Sequence, residues 1–274
     1  MRIIPRSAGH ETAASLIQGG WRLDKLRQKR MSKKTAVKSP KGTVIRSKRS
    51  ASTLSKEVIV AAALDMIDHE GLESFSIRRL AKTLGVFPTA VTWYLASRRE
   101  ILAEVVELVT SDLSPARFYE SWQEYLRLVF RKFRNAIRLH PHMAQLIGTH
   151  LIANPTVDLE FVERMLSALS FAGFRGDKLV AAYNTAIVSM VGFATQEFGP
   201  IPVEETDKWR DDIRGRLKSV TPQSFPTLAQ HMSLLQNKAC IVRWQNGTDA
   251  PLDASFEFFI ETVIGGLEAM LELR

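Results

Sequence analysis

Two helix-breaking residues, Gly85 and Pro88, stand three positions apart, and they constrain this chain more than any other feature. Ahead of them runs Ser76-Ile-Arg-Arg-Leu-Ala-Lys-Thr-Leu, in which Ile77, Leu80, Ala81 and Leu84 share one helical face and Ser76 is placed as N-cap. Gly85 stops that helix after about two turns, because it takes backbone angles that a Cβ resists. Only Val86 and Phe87 then precede Pro88, whose fixed φ suits the first turn of a new helix. A short helix, a tight glycine-containing turn and a second short helix match the helix-turn-helix pattern.

The flanks supply what that pattern needs. Leu54, Val58, Ile59, Ala62, Met66 and Ile67 recur at helical spacing, giving a first helix over 55–69 with Thr53 or Ser55 as cap and a left-handed Gly71 at its end. A fourth helix starts near Ser97, with Ile101, Leu102, Val105, Val106, Leu108 and Val109 apolar. Ser114-Pro115 signals the next start, and Phe118, Trp122, Leu126, Val129, Phe130, Phe133 and Ile137 form its stripe as far as His140-Pro141. Further helices read over 141–152, from Asn154-Pro155 to Ala172, from Asp177 to Phe198, over Glu204–Val220 and over Leu252–Leu273. Residues 221–251 give no clear pattern. There is no internal repeat and no alternating strand pattern beyond four residues, so the expected fold is all-α. Its expected divisions are a basic arm at 1–52, a three-helix helix-turn-helix domain at 53–100, and an all-helical body at 101–274.

Charge separates the arm from the body. The formal net charge is +8, yet residues 1–52 carry 14 Lys/Arg against Glu11 and Asp24, while the rest carries 23 against 27 acids. Segment 31–52 has too few large apolar residues to order itself, and such arms bind nucleic acid, bind anionic membrane, or stay solvated without a partner. Met31 is an alternative start. The single cysteine, Cys240, excludes an internal disulfide and points to a reducing, cytoplasmic setting. No apolar run approaches the length of a membrane span, and the first twenty residues make a poor signal peptide. Within 56–100, Asp65, Asp68, Glu70 and Glu73 lie on the first helix and its exit, whereas Arg78, Arg79 and Lys82 lie on the second helix and Arg98 and Arg99 open the fourth. A duplex would meet the basic side.

Stretch 54–109 resembles the DNA-binding domain of tetracycline-repressor (TetR) family regulators. The likeness rests on the Ala-rich first helix ended by Glu70-Gly71, the Arg-Arg-Leu-Ala helix, Leu-Gly-Val, an aromatic recognition helix and basic Arg98. The helical remainder suits that family's ligand-binding and dimerisation domain, and the ending from Phe256 looks like its final helix. The resemblance implies DNA contacts from Ser76, Ile77 and Arg78, from Phe87, Pro88, Thr89, Ala90, Thr92, Trp93 and Tyr94, and from Arg98 as a phosphate grip. Val91 and Leu95 are expected inside. Thr92 stands where the family usually has tyrosine, Phe87 where it has a small cap, Leu95 where it has an aromatic, and Arg98 where it has lysine, so operator preference does not carry over. Trp93 and Tyr94 either add contact area or are buried against the first helix.

The resemblance further implies a small-molecule effector bound among the later helices. Candidates are Trp122, Phe130, Phe133, Met143, His150, Met165, Tyr183, Asn184 and Met190, with Tyr183, His150 and Asn184 favoured because a polar group in an apolar bundle needs a partner. Ile187, Val188, Val191, Phe259, Val263, Ile264, Leu267 and Met270 are expected to form a homodimer seam, with Gly192 and Gly265-Gly266 allowing close approach; packing within one subunit is the alternative. No phosphate-loop, dinucleotide, zinc-protease or nucleophile-elbow motif occurs. No enzyme, cofactor or metal is expected; His140-Pro-His142 reads as an ordinary helix junction and Asn246-Gly247-Thr248 as a turn. The partner implied is double-stranded DNA bearing a near-palindromic operator. The other classes compatible with the residues are a ligand-independent architectural protein gripping DNA through the arm, and an interaction module or enzyme on a borrowed helical scaffold.

Overall fold

The computed structural model describes residues 54–114, 121–150, 158–202, 206–240 and 242–272, with the side chains of Thr149 and His150 excepted. The basic arm, Thr53, Pro115, Phe118 and Asn154-Pro155 lie outside these residues. The chain from Ser52 onward forms one compact unit. Among the described residues it holds eleven α-helices and no strand.

Four helices build the amino-terminal module: α1 (Lys56–Glu70), α2 (Ile77–Leu84), α3 (Pro88–Tyr94) and α4 (Arg98–Thr110). Each of α1, α2 and α4 has a serine cap whose Oγ accepts from a backbone N–H: Ser55 from Val58, Ser76 from Arg79, Ser97 from Glu100. Gly71 has positive φ, 78°, but an extended ψ of 164°, so it redirects the chain rather than closing a left-handed cap. Gly85 is left-handed at φ 70° and ψ 29°. Its N–H donates to the Lys82 carbonyl and that of Val86 to the Ala81 carbonyl, which is the Schellman arrangement. α1 packs on α2 and α4, and α2 on α3. Ile59, Ala63 and Ile67 meet Leu80, Val91, Leu95 and Ile101 in one buried cluster.

Seven helices follow: α5 (Trp122–Leu139), α6 (Met143–His150), α7 (Leu159–Ala172), α8 (Gly176–Glu197), α9 (Thr206–Lys218), α10 (Pro226–Leu235) and α11 (Asp253–Glu272). α5 does not start at Ser114-Pro115 but at Trp122, because the Ser121 Oγ accepts from the Glu124 N–H. α7 starts at Leu159 for the same reason, with Asp158 as cap. α10, within the stretch that gave no clear pattern, uses Pro226 as its first residue. By length and composition alone α8 could cross a membrane. It instead packs on α5, α6, α7 and α11, burying Ala182, Ala186, Met190 and Ala194. α4 touches both α5 and α6, so the module and the body share one element.

A buried ion pair fastens the body. The Arg134 guanidinium on α5 donates twice to the Glu197 carboxylate at the end of α8, both bonds 2.6 Å. Glu197 is fully buried and Arg134 nearly so. The same carboxylate accepts from the Leu252 N–H at 2.8 Å, while Arg134 also pairs with Asp253 at 2.8 Å and lies over the Phe256 ring. Burial disfavours the Arg134 charge; its bonds to Glu197 and Asp253 outweigh that and raise its pKa. The Glu197 carbonyl accepts from the Gly247 N–H, and an added Cβ at Gly247 would lie 2.5 Å from Glu197 Cγ. The Asn246-Gly247 turn therefore fits only as glycine, with Asn246 Oδ1 accepting from the Thr248 N–H. An exposed ladder runs alongside: Arg127 to Glu261, Arg131 to Glu257, Arg138 to Asp253.

Removing one partner of a buried pair strands the other. Arg134→Ala is expected to lower unfolding stability by about 3–5 kcal/mol, whereas Arg127→Ala on the exposed ladder costs about 1 kcal/mol or less. Chemical denaturation of the two variants side by side checks the contrast.

Candidate nucleic-acid interface

α3 is seated by two residues and presents the rest. Val91 and Leu95 are fully buried in the core cluster, as their spacing requires. Phe87 at the helix start is 82% exposed and Trp93 is 78% exposed. Pro88 and Thr89 are exposed, and Ala90 and Thr92 are half-buried. Trp93 is thus not buried against α1. Tyr94 is split between the two alternatives: it stays on the surface, its ring edge-on to Trp93 at 4.7 Å, but its hydroxyl donates to the Leu54 carbonyl at 2.8 Å, just ahead of α1. The Thr92 hydroxyl donates to the Thr89 carbonyl at 3.2 Å.

The cations around α3 divide into free and committed groups. Arg78 and Lys82, one turn apart on α2, are exposed and have no ion pair among the described residues. Arg79 is committed: it pairs with Glu70 and donates to the Ser74 carbonyl at 2.9 Å. Arg98 is committed too. Its Nε donates to the Phe75 carbonyl at 3.4 Å, its Nη2 to the Leu72 carbonyl at 3.3 Å, and its guanidinium lies 5.6 Å from the centre of the Phe75 ring. In this form Arg98 braces the loop that delivers Ser76 and the start of α2. Ser76 is half-buried as a cap, and Ile77 packs partly into the core while Arg78 turns outward. The expected segregation of charge therefore holds for Arg78 and Lys82, while Glu70 draws Arg79 back onto the protein. Among the described residues no cluster of His, Cys, Asp or Glu is arranged to hold a metal ion.

This arrangement coincides with two family matches. Residues 59–105 match the model of bacterial regulatory proteins of the tetR family, and residues 114–271 match the tetracyclin repressor-like C-terminal domain. The chain belongs to the TetR family. The class C tetracycline repressor protein of Escherichia coli is 26% identical over 221 residues, covering 79% of this chain and 92% of that protein. An HTH-type transcriptional regulator of Saccharopolyspora erythraea is 29% identical over 135 residues, which span 48% of this chain and 57% of that protein. Among solved structures, the Streptomyces coelicolor TetR family protein ActR in complex with (S)-DNPA shares the fold at a TM-score of 0.61 and 24% identity, over 80% of this chain and 98% of that one. BioQ with its natural double-stranded DNA operator does so at 0.53 and 22%, over 79% and 99%.

In the larger domain of this TetR-family chain, the described residues among those expected to take an effector divide between core and surface. Trp122, Phe130, Phe133, Met143, Met165 and Met190 are packed into the core. Asn184, expected as a polar group enclosed in the bundle, is instead exposed on α8, whose outward side it occupies. Tyr183 is half-buried, and burial raises its hydroxyl pKa. The His150 side chain lies outside the described residues. The seam residues split as well. Val191, Ile264 and Leu267 are buried in their own subunit's core. Ile187, Phe259 and Val263 are half-buried, while Val188 and Met270 are open. Phe258, 77% exposed, completes the open face and was not among the expected residues. Its signal is present in the sequence: Phe258 stands two positions from Phe256, on the opposite side of the helix. Between α8 and α11 lies a cavity of about 620 Å³ lined by Phe174, Lys178, Ala182, Val263, Leu267 and Met270 among others. Of the expected effector residues it includes none.

The turn ahead of α3 tests the local geometry. A Cβ at Gly85 would meet nothing within 4 Å, so Gly85→Ala introduces backbone strain alone. The expected loss is about 1–2 kcal/mol of stability, with unchanged helix content, measured by thermal melting followed by circular dichroism.

Proposed function

We propose that this chain is a homodimeric, sequence-specific transcriptional repressor that leaves its operator when a small molecule binds the larger domain. The observation that carries the reading is α3 itself: a short helix seated by Val91 and Leu95, bare on its outer face, with Arg78 and Lys82 beside it, exposed and without an ion pair among the described residues. A helix of that size enters the major groove, and flanking cations hold phosphates and set orientation. The domain roles proposed are reading at 53–100 and effector binding with dimerisation at 101–274. ActR, a fold relative, is seen in complex with the small molecule (S)-DNPA, and the class C relative is named a repressor. A protein with this task works in the bacterial cytoplasm, against the chromosome, and needs no catalytic step.

Dimerisation is assigned to the outer face of α8 and α11. Val188, Phe258 and Met270 are exposed there, and an added Cβ at Gly192, Gly265 or Gly266 would meet nothing within 4 Å, which leaves room for a facing helix. Val188→Asp combined with Phe258→Asp is expected to shift a dimer to monomer in sedimentation velocity, weakening association at least tenfold, while the circular dichroism spectrum stays that of the parent.

Selection of bound duplexes from a random pool by the full chain tests the main claim. The enriched sequence is expected to be two inverted half-sites with centres about 34–36 Å apart. No enrichment, or enrichment of one isolated half-site by a monomer, defeats it. Arg78→Ala is then expected to weaken binding to every duplex alike. It is also expected to flatten the slope of log affinity against log salt by about 0.9 for each phosphate that Arg78 neutralises, in both subunits. Titration of operator affinity from low to high salt measures this.

A further inference from the structure

From Thr83 through Ser97 the chain contains no Asp, Glu, Lys, Arg, His, Asn or Gln. Base edges in the major groove are ordinarily read by such side chains, with Arg or Lys on guanine and Asn or Gln on adenine. α3 has none. Its hydroxyl donors are largely spent within the protein: Thr92 on the Thr89 carbonyl, Tyr94 on the Leu54 carbonyl. The Thr89 hydroxyl and the Trp93 indole N–H are what remains. The outer surface of the helix is otherwise carbon, and its two largest exposed groups are the Phe87 and Trp93 rings. Single exposed apolar residues are common, but the Phe87 ring at the cap and the Trp93 ring on a seven-residue helix, beside cations with no ion pair among the described residues, leave a surface that water covers poorly.

One feature of the major groove matches such a surface: the thymine 5-methyl group, the apolar mark that distinguishes A·T from the other pairs there. Arg78 and Lys82 on the adjoining helix supply phosphate contacts, which position the protein without specifying sequence. We propose that each half-site is read chiefly through thymine methyl groups packed against Phe87, Thr89 and Trp93. This rests on the reading of the chain as a DNA-binding regulator and names the chemistry by which its site discriminates. The same bases without their methyls keep every hydrogen-bonding edge, so the two modes of reading are separable.

The test uses the full chain and the duplex enriched from the random pool, resynthesised with deoxyuridine in place of every thymine in the half-sites. Burying one methyl is worth about 0.8 kcal/mol, or about fourfold in affinity, so substituting two or more contacted thymines is expected to weaken binding at least tenfold. The same replacement outside the half-sites is expected to change nothing. Because Phe87 and Trp93 are exposed, Phe87→Ala and Trp93→Ala keep the fold. Each is expected to shrink the thymine-to-deoxyuridine affinity ratio toward one, an effect that mere loosening of the helix would not produce. A selected operator without thymine in its half-sites overturns the proposal, as does one bound equally well with deoxyuridine. A methyl dependence that both variants leave intact also overturns it, since the methyls would then be read elsewhere. In these three cases sequence-specific binding itself survives. If no duplex is enriched at all, the regulator reading falls and this proposal with it.

Discussion

The Arg134–Glu197 pair is the constraint around which the larger domain is assembled. One buried guanidinium and one buried carboxylate join the middle of α5, the end of α8 and the beginning of α11, and the carboxylate also holds the Leu252 N–H. Two charges removed from water are tolerable only when each is fully partnered. That requirement dictates the surroundings: Gly247 must be bare to let its loop lie on Glu197, Phe256 must lie under the guanidinium, and Asp253 must cap the outer edge. A residue that breaks this cluster disturbs three helices together, whereas the exposed Arg127–Glu261 and Arg131–Glu257 pairs beside it are dispensable one at a time.

The amino-terminal module depends on backbone geometry instead. Ser76, Gly85 and Pro88 were legible in the sequence because each answers a local demand: a cap, a left-handed stop and a helix start. Val91 and Leu95 were legible because spacing alone puts them on the inner face. Arg98 was not. Its partners are the carbonyls of Leu72 and Phe75, more than twenty residues away in the chain, and no periodic pattern announces a bond to a distant backbone. Arg79 differs from Arg78 only in pointing toward Glu70, a matter of helix phase at a junction. Trp93 could not be placed from the sequence either, since an aromatic on a short helix packs inward or outward with equal ease until its neighbours are known.

The same limit appears in the body. Helices over 177–198 and 252–273 were evident from their apolar content, but a helix that is apolar on most sides does not declare which side its own subunit covers. Ile264 and Leu267 went inward, Val188 and Met270 stayed out, and Asn184 sits on the surface rather than in the bundle. The two halves nevertheless hold together through contacts with readable chemistry. His140 Nδ1 lies 2.7 Å from Asp68 Oδ2, joining the α5–α6 corner to α1, and Lys132 pairs with Asp112 just past α4.

The bond from Tyr94 to the Leu54 carbonyl has a practical consequence. It pins the amino-terminal entrance of the described chain to the very edge of α3. Cargo spliced in just ahead of Leu54, whether a purification handle, a fluorophore or a fused enzyme, would therefore emerge at the rim of the reading surface.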